Sequence, residues 1–335
     1  MRCREVRLAR IPEQTATSEN FETVDAEAAA PDTGQVLVGL RMLGLNAGLA
    51  HRLGGPATAY GPSVEIGDVP ASDAVVEVLD SGHDDFRPGD LAVCRFPWRT
   101  AEVLDAAELR RINLPTTASD DELAAYLTVL GHVGFTAWTG LIHVGEVTAD
   151  DVVCVSGAAG GVGSCAVQFA KACGAHVIGI AGSDEKSALL TETLGADRAI
   201  NRHDGPAVDL LRQVASDGID LYYDNVGGEQ LEAALEVLNI GGRAIICGAV
   251  AGHRGGPRNF RNIIYRELTL RGFTVTAHED LRDRFELEVG RWVAEGKVRS
   301  LHTVFDGIDR TSAAFESLLN GGSTGRVTVS VPSQR

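Results

Sequence analysis

Polar and apolar positions change rhythm twice along the chain, and the two changes divide it. In the first third, short runs of period two alternate with turns. Strands are expected at 35–40, 73–79 and 90–94, with Pro88 and Gly89 supplying the tight reversal that leads into the last of them. From about residue 121 a helical period takes over, at 121–130 and again at 134–143. Strand and helix signals then alternate. Strands are expected at 151–155, 176–181, 197–200, 219–224, 243–248 and 268–273, separated by helices near 161–173, 185–194, 206–215, 228–239 and 258–266. This alternation predicts an α/β unit with a doubly wound parallel sheet of the Rossmann kind. One amphipathic helix follows at 281–296, and then short strands and a helix at 311–319 return to the β-rich pattern of the start. Two domains are therefore expected. Residues 1–122 with 297–335 form a mainly β domain, and 123–296 form the α/β domain.

Composition narrows the function classes. A formal charge of −16 and the lack of any Lys/Arg stripe argue against nucleic acid as a partner. No stretch approaches the roughly 20 uninterrupted apolar residues of a membrane helix, and the first residues lack the apolar core of a secretory signal. A cytoplasmic small-molecule enzyme is the expectation. The cysteines at 3, 94, 154, 165, 173 and 247 form no CxxC pair and no Cys/His spacing suited to zinc, so buried free thiols and no metal are expected.

The clearest chemical signal is SGAAGGVG at 156–163, between an apolar strand and an apolar helix. Small residues at Ala158, Gly160, Gly161 and Gly163, with Val162 opening the helix, allow a diphosphate to approach a helix N-terminus, where free N–H groups and the dipole favour its charge. The second strand of the unit ends in Gly182 and Ser183, where a carboxylate for the ribose 2′-hydroxyl would ordinarily stand. Lys186 follows one turn on, and Arg202 stands beyond the third strand. Both suit a 2′-phosphate, so NADPH is the expected cofactor. Two solvated surface charges are the competing reading, and Asp184 and Glu185 leave a 2′-hydroxyl contact open.

These features, with GHVGFTAWTGL at 131–141, IDLYYDNVGG at 219–228 and NGGSTGRV at 320–327, resemble the zinc-independent medium-chain dehydrogenase/reductases. Within them the chain is most similar to the group of prostaglandin reductases, alkenal double-bond reductases and curcumin reductase. The resemblance implies a GroES-like mainly β catalytic domain, a Rossmann domain, NADPH and a homodimer. It implies cofactor contacts at Thr136, the 158–163 turn, Gly182, Lys186, Asn225, Gly248, Ala249, Val250, Phe273, Thr274 and Val275. It also implies departures. The family's Leu-Asp-Pro-Tyr-Met-Arg segment reads Leu45-Asn46-Ala47-Gly48-Leu49-Ala50 here, so Gly48 replaces a pocket tyrosine beside Asn46. His253 replaces a second tyrosine, Ser323 an asparagine near the nicotinamide, and His132 an apolar residue.

The activity implied is reduction of the C=C bond of an α,β-unsaturated carbonyl compound. Hydride goes to the β-carbon, and the enolate left behind needs a hydrogen-bond donor at oxygen and a proton at the α-carbon. Tyr60, His51 and His253 are the candidates for those tasks. With a tyrosine lost, the pocket is expected to take a bulkier, even polycyclic, enone. Alternatives are an NADPH:quinone oxidoreductase on the same scaffold and a non-catalytic NADPH-binding protein.

Overall fold

The structure is a computed structural model, and it describes residues 1–58, 61–249 and 256–334. The chain divides into two units, Met1–Leu127 with His302–Arg335 and Thr128–Leu301, each with its own core.

The first unit opens with strands β1 (Arg2–Leu8) and β2 (Phe21–Glu27), an antiparallel pair. Then come β3 (Gln35–Gly44), β4 (Ala71–Ser81), β5 (Leu91–Pro97), β6 (Ala101–Asp105) and β7 (Arg110–Ile112), and the short helix α1 (Asp120–Ala125). Along β4 nearly every position from Ser72 to Val78 is covered, because both faces of this central strand are packed. The reversal before β5 forms as its sequence requires: Gly89 takes φ +103°, and the Arg87 amide donates to Asp90 Oδ2 at 2.8 Å. Trp98, Phe21 and Phe315 meet with ring centroids 5.4 to 6.0 Å apart, and the buried Trp98 indole N–H donates to Ser72 Oγ at 3.0 Å.

The second unit begins with α2 (His132–Trp138), which passes directly into a π-turn at Thr139–Val144. It continues through β8 (Val152–Val155), α3 (Gly161–Ala172), β9 (His176–Ala181), α4 (Asp184–Glu192), β10 (Arg198–Asn201) and α5 (Ala207–Val214). After these come β11 (Ile219–Asp224), α6 (Gly228–Val237), β12 (Leu238–Ile246), α7 (Arg261–Tyr265), β13 (Thr269–Gly272) and α8 (Arg282–Ala294). The sheet order is β10-β9-β8-β11-β12-β13, all parallel. That is the doubly wound order, and the connections diverge at the carboxyl ends of β8 and β11. The chain then returns to the first unit as β14 (His302–Asp306), α9 (Thr311–Leu319) and β15 (Arg326–Ser330), and β15 joins β14 to β3.

Several elements differ from the sequence pattern. The helix expected over 121–130 stops at Ala125, and the Tyr126 and Leu127 amides bond three residues back instead of four. The chain then tucks under α2 because Gly134 has no side chain, since a Cβ there would lie 2.1 Å from Val129 O. β12 begins at Leu238 and runs through Gly241 and Gly242, earlier than the apolar run suggests. α7 covers only Arg261–Tyr265 of the expected 258–266. The cysteines are free; Cys3, Cys154 and Cys165 are buried and the other three half-buried.

Candidate functional site

The glycine turn joins β8 to α3 at the divergence point of the sheet. Not every amide in it faces outward. The Ala158 N–H donates to Ile180 O at 2.9 Å, fastening the turn to β9, and the Gly160 N–H donates to Gly157 O at 3.0 Å. Helical bonding starts at the Ser164 N–H, which donates to Gly160 O, so the amides of Gly161, Val162 and Gly163 are the ones with no partner inside the helix. Close approach of helix and turn depends on Gly163, whose Cβ would fall 2.2 Å from Gly157 O. A Cβ at Gly160 would meet only Gly157 O, at 3.3 Å, which leaves the space before the helix open. Ala158, with no exposure, serves by its size and not by its N–H.

At the end of β9, Gly182, Ser183, Lys186 and Arg202 come together. Ser183 caps α4, its Oγ accepting from the Lys186 amide at 3.3 Å. The Arg202 guanidinium lies over Gly182, with Nε 3.4 Å from where a Cβ would stand. The Lys186 ammonium is held below its ordinary pKa, first by burial and then by the charge of Arg202. The neighbouring acids are already committed. Asp184 Oδ1 accepts from Asn201 Nδ2 at 2.8 Å, and Glu185 is held below the usual carboxylate range by a backbone amide and Ser183. The local field is thus positive, and it suits a phosphate better than a hydroxyl.

At the carboxyl ends of β8 and β11 the organising group is Asp224, a role the sequence pattern did not assign. It is fully buried, and its Oδ1 accepts from Ser156 Oγ at 2.8 Å, Gly227 N–H at 2.9 Å, Val226 N–H at 3.1 Å and Tyr222 OH at 3.2 Å. Burial, followed by the Asp224 charge, pushes the Tyr222 phenol well above its usual value, so it stays a neutral donor. Asn225 is also engaged, with its amide N–H donating to Ser156 Oγ and its Nδ2 to Ser156 O at 2.7 Å. The Gly248 N–H donates to Asp224 O, and a Cβ on Gly227 would lie 3.8 Å from Ala249 Cα, so the loops after β11 and β12 meet. A carboxylate followed by Asn-Val-Gly-Gly at a strand end was the available signal, because consecutive amides in such a turn need one acceptor.

Thr136 and Phe273 are linked through Tyr223, whose hydroxyl donates to Thr136 O at 3.1 Å. A Cβ at Gly140 would lie 2.6 Å from the Tyr223 ring and 2.8 Å from the Phe273 ring. Thr136 turns its own hydroxyl to His132 O, Thr274 is exposed, and Val275 packs into the core with 1% exposure.

In the first unit, Asn46 caps the 3-10 turn Ala47–Arg52, its Oδ1 accepting from the Leu49 amide at 3.1 Å. Gly48 is exposed, and a Cβ there would meet only Asn46 Oδ1, at 3.4 Å. His51 is exposed on the same turn, and Ser323 is half-buried ahead of β15. Half-buried His132 opens α2 in the second unit. Tyr60, Val250 and His253 lie outside the described residues. Among the described residues no cluster of three or more His, Cys, Asp or Glu is placed to hold a metal. The Cys173 and Cys247 thiols are pushed up to about 11, chiefly by burial, which leaves them protonated at neutral pH.

A glycine turn against a helix N-terminus at the divergence point of a six-stranded parallel sheet defines a dinucleotide-binding unit of the Rossmann class, here paired with a mainly β unit. Comparison with known proteins agrees. A family model described as zinc-binding dehydrogenase matches residues 161–289, and one for the N-terminal domain of oxidoreductases matches 4–112. The NADPH-dependent curcumin reductase of Escherichia coli is 31% identical over 97% of this chain and 95% of its own. Prostaglandin reductase 1 of rat is 32% identical over 93% of this chain and 94% of its own. The crystal structure of CurA from Vibrio vulnificus in complex with NADPH superimposes with a TM-score of 0.91 at 28% identity, covering 98% of this chain and 99% of that one. The chain belongs to the medium-chain dehydrogenase/reductase family, in the group of the curcumin and prostaglandin reductases.

Proposed function

We propose that this protein is an NADPH-dependent reductase of the C=C bond in α,β-unsaturated carbonyl compounds. The observation that carries the cofactor is the Lys186 and Arg202 pair over Gly182, with Asp184 and Glu185 already bonded elsewhere. The reductases matched over nearly the whole chain support the acceptor. When bound, the reduced nicotinamide supplies a hydride. The chain's own work is to hold the cofactor and orient the substrate. The amides of Gly161, Val162 and Gly163 would hold the diphosphate, and Ser183, Lys186 and Arg202 the 2′-phosphate. Asn225, Gly248, Ala249, Thr136, Phe273 and the backbone at Val275 would border the remainder of the dinucleotide, with Asp224 fixing the loop that carries Asn225.

At the acceptor, Asn46, Gly48 and His132 are the pocket residues proposed, and Ser323 a neighbour of the nicotinamide. The enolate oxygen needs a donor and the α-carbon a proton, tasks we assign among His51, Tyr60 and His253. The open space at Gly48 supports a bulky enone. The decisive assay follows NADPH oxidation over enones and quinones of graded size, with NADH as the competing donor. Faster turnover with NADH overturns the cofactor reading, and consumption of quinones alone overturns the acceptor.

A cytoplasmic homodimer is the proposed state. The homodimer is supported by exposed apolar side chains in the second unit, Ile240 on β12 and Phe260, Ile264 and Tyr265 ahead of β13, all at least 60% exposed.

A further inference from the structure

The order of the parallel sheet divides the dinucleotide between its two sides. The glycine turn follows β8, and Gly182, Ser183, Lys186 and Arg202 stand beyond the ends of β9 and β10. With the 2′-phosphate on that side, the other half of the dinucleotide is left with the carboxyl ends of β11, β12 and β13. Phe273 and Thr274 come next after β13, which ends at Gly272. The π-turn at Thr139–Val144 touches the segment they open at two points.

In the π-turn the Gly145 amide reaches back five residues to Gly140 O, at 2.9 Å, where an α-helix would reach back four. The Gly140 backbone lies against two rings. A Cβ there would fall 2.6 Å from Tyr223 Cε2, 2.8 Å from Phe273 Cζ and 2.9 Å from Phe273 Cε1. Further along the turn, the His143 ring meets the His278 ring edge-on, with centroids 5.2 Å apart. Gly140 and His143 therefore brace the two ends of the stretch from Phe273 to His278, and buried Val275 ties it to the core.

The two rings at Gly140 differ in freedom. Tyr223 has no exposure, and its hydroxyl donates to Thr136 O at 3.1 Å. Phe273 is half-buried and packs at the border of the same core. A side chain at position 140 would displace Phe273 in preference to Tyr223, because moving Tyr223 breaks a hydrogen bond in a fully packed interior. Carbon atoms make ordinary contact near 3.5 Å, so the Phe273 ring would retreat by more than about half an ångström. Misplacement on that scale beside a reacting centre lowers the rate by up to about 100-fold.

We propose that Gly140 is a positioning residue for the nicotinamide half of the cofactor. By carrying no side chain it lets the Phe273 ring close on the π-turn, and this sets the backbone from Phe273 to Val275 at the carboxyl end of β13. It acts through Phe273 and not by contact with the cofactor. This rests on the NADPH reading above. The consequence is one-sided: a side chain at position 140 disturbs the nicotinamide half and leaves the 2′-phosphate half, held at Lys186 and Arg202, as it was.

The test separates the two halves of the dinucleotide. Titration calorimetry with NADPH, and with adenosine 2′,5′-bisphosphate, which carries only the 2′-phosphate half, is run on the native protein, Gly140→Ala, Phe273→Leu and the double variant. Gly140→Ala should raise Kd for NADPH about tenfold and leave Kd for the bisphosphate within about twofold. Phe273→Leu removes the ring atoms that the added methyl group would meet, so the double variant should bind NADPH at least about threefold more tightly than Gly140→Ala. NADPH bound as tightly by a folded Gly140→Ala as by the native protein overturns the proposal. Equal weakening of both ligands marks a general fault in the fold and also overturns it. A double variant no better than Gly140→Ala removes Phe273 from the path, with the same result. If circular dichroism shows Gly140→Ala unfolded, Phe273→Leu alone decides: NADPH weakened about threefold with the bisphosphate unmoved supports the proposal, and no change overturns it. The expected binding pattern in a protein that reduces no enone supports the positioning role and overturns the reductase reading. A native protein that binds neither ligand overturns the cofactor reading and the proposal with it.

Discussion

Lys186 and Arg202 repel one another beside Gly182, and a phosphate between them would remove that repulsion. Lys186→Ala should therefore raise KM for NADPH about tenfold while leaving KM for NADH nearly unchanged, as should Arg202→Ala. Steady-state kinetics with both donors checks this; equal losses for the two would show a general fault in the fold. Asp197 makes a different prediction, about stability. Partial burial alone would raise its pKa, but hydrogen bonds from Lys171 at 2.8 Å and the Val177 amide at 2.7 Å, with the charges of Lys171 and His176, hold it below the usual value. A folded-state pKa below the unfolded one stabilises the protein above about pH 4 and is lost as pH falls through the folded value. Asp197→Asn should cost about 1 kcal/mol at pH 7, discounted for partial exposure. Urea unfolding at pH 7 and pH 3 should show the gap closing in acid, and a gap of equal size at both would count against the pair. Gly182, Ser183 and Lys186 were legible in the sequence because a strand end and the following turn are local. The engagement of Asp184 was not, since its partner Asn201 comes from another strand. Asp224 stayed hidden for the same reason. Its four donors come from the turn after β8, from β11 itself and from the loop after it.

Elements show how far periodicity carries. The central parallel strands β9 and β11 were readable because both are covered on both faces and appear as apolar runs, and they fall at 176–181 and 219–224 as expected. The paired strands β1 and β2 were not singled out, since their outer positions are charged and β2 has only one fully covered residue. The helical pattern near 134–143 says nothing of the π-turn, which lies where Gly140 approaches Tyr223 and Phe273. The 3-10 turn at Ala47–Arg52 carries the element-scale prediction. Because a Cβ at Gly48 meets nothing closer than 3.4 Å, Gly48→Tyr should fold normally, with Tm shifted by no more than about 2 °C. It should fill the space and lower kcat/KM for a ring-fused enone about tenfold relative to a small linear enal. An unchanged ratio in a folded variant would mean that Gly48 does not border the acceptor.

At the scale of the whole molecule, each unit closes its own core, so the chain's departure near residue 127 and return near 301 split no hydrophobic cluster. The sequence places these crossings a few residues earlier, because the apolar run ending at Leu127 packs with Met42, Val75 and Leu91 of the β-rich unit instead of starting the next one. What neither core uses is the group at Ile240, Phe260, Ile264 and Tyr265. These side chains lie on β12 and on the segment leading into β13, which is the last strand of the sheet among the described residues. An open edge beside exposed apolar side chains invites pairing with a second copy, since strand-to-strand hydrogen bonds satisfy the edge while the apolar side chains leave water. Ile264, 68% exposed, is the substitution of choice because replacing it disturbs no core contact. Ile264→Asp places like charges against each other in any two-fold arrangement that brings α7 near its mate. By light scattering it should shift the native protein from about twice the 35.4 kDa chain mass toward that mass. A native protein that is already monomeric, or a variant that stays dimeric, would remove β13 and α7 from the interface.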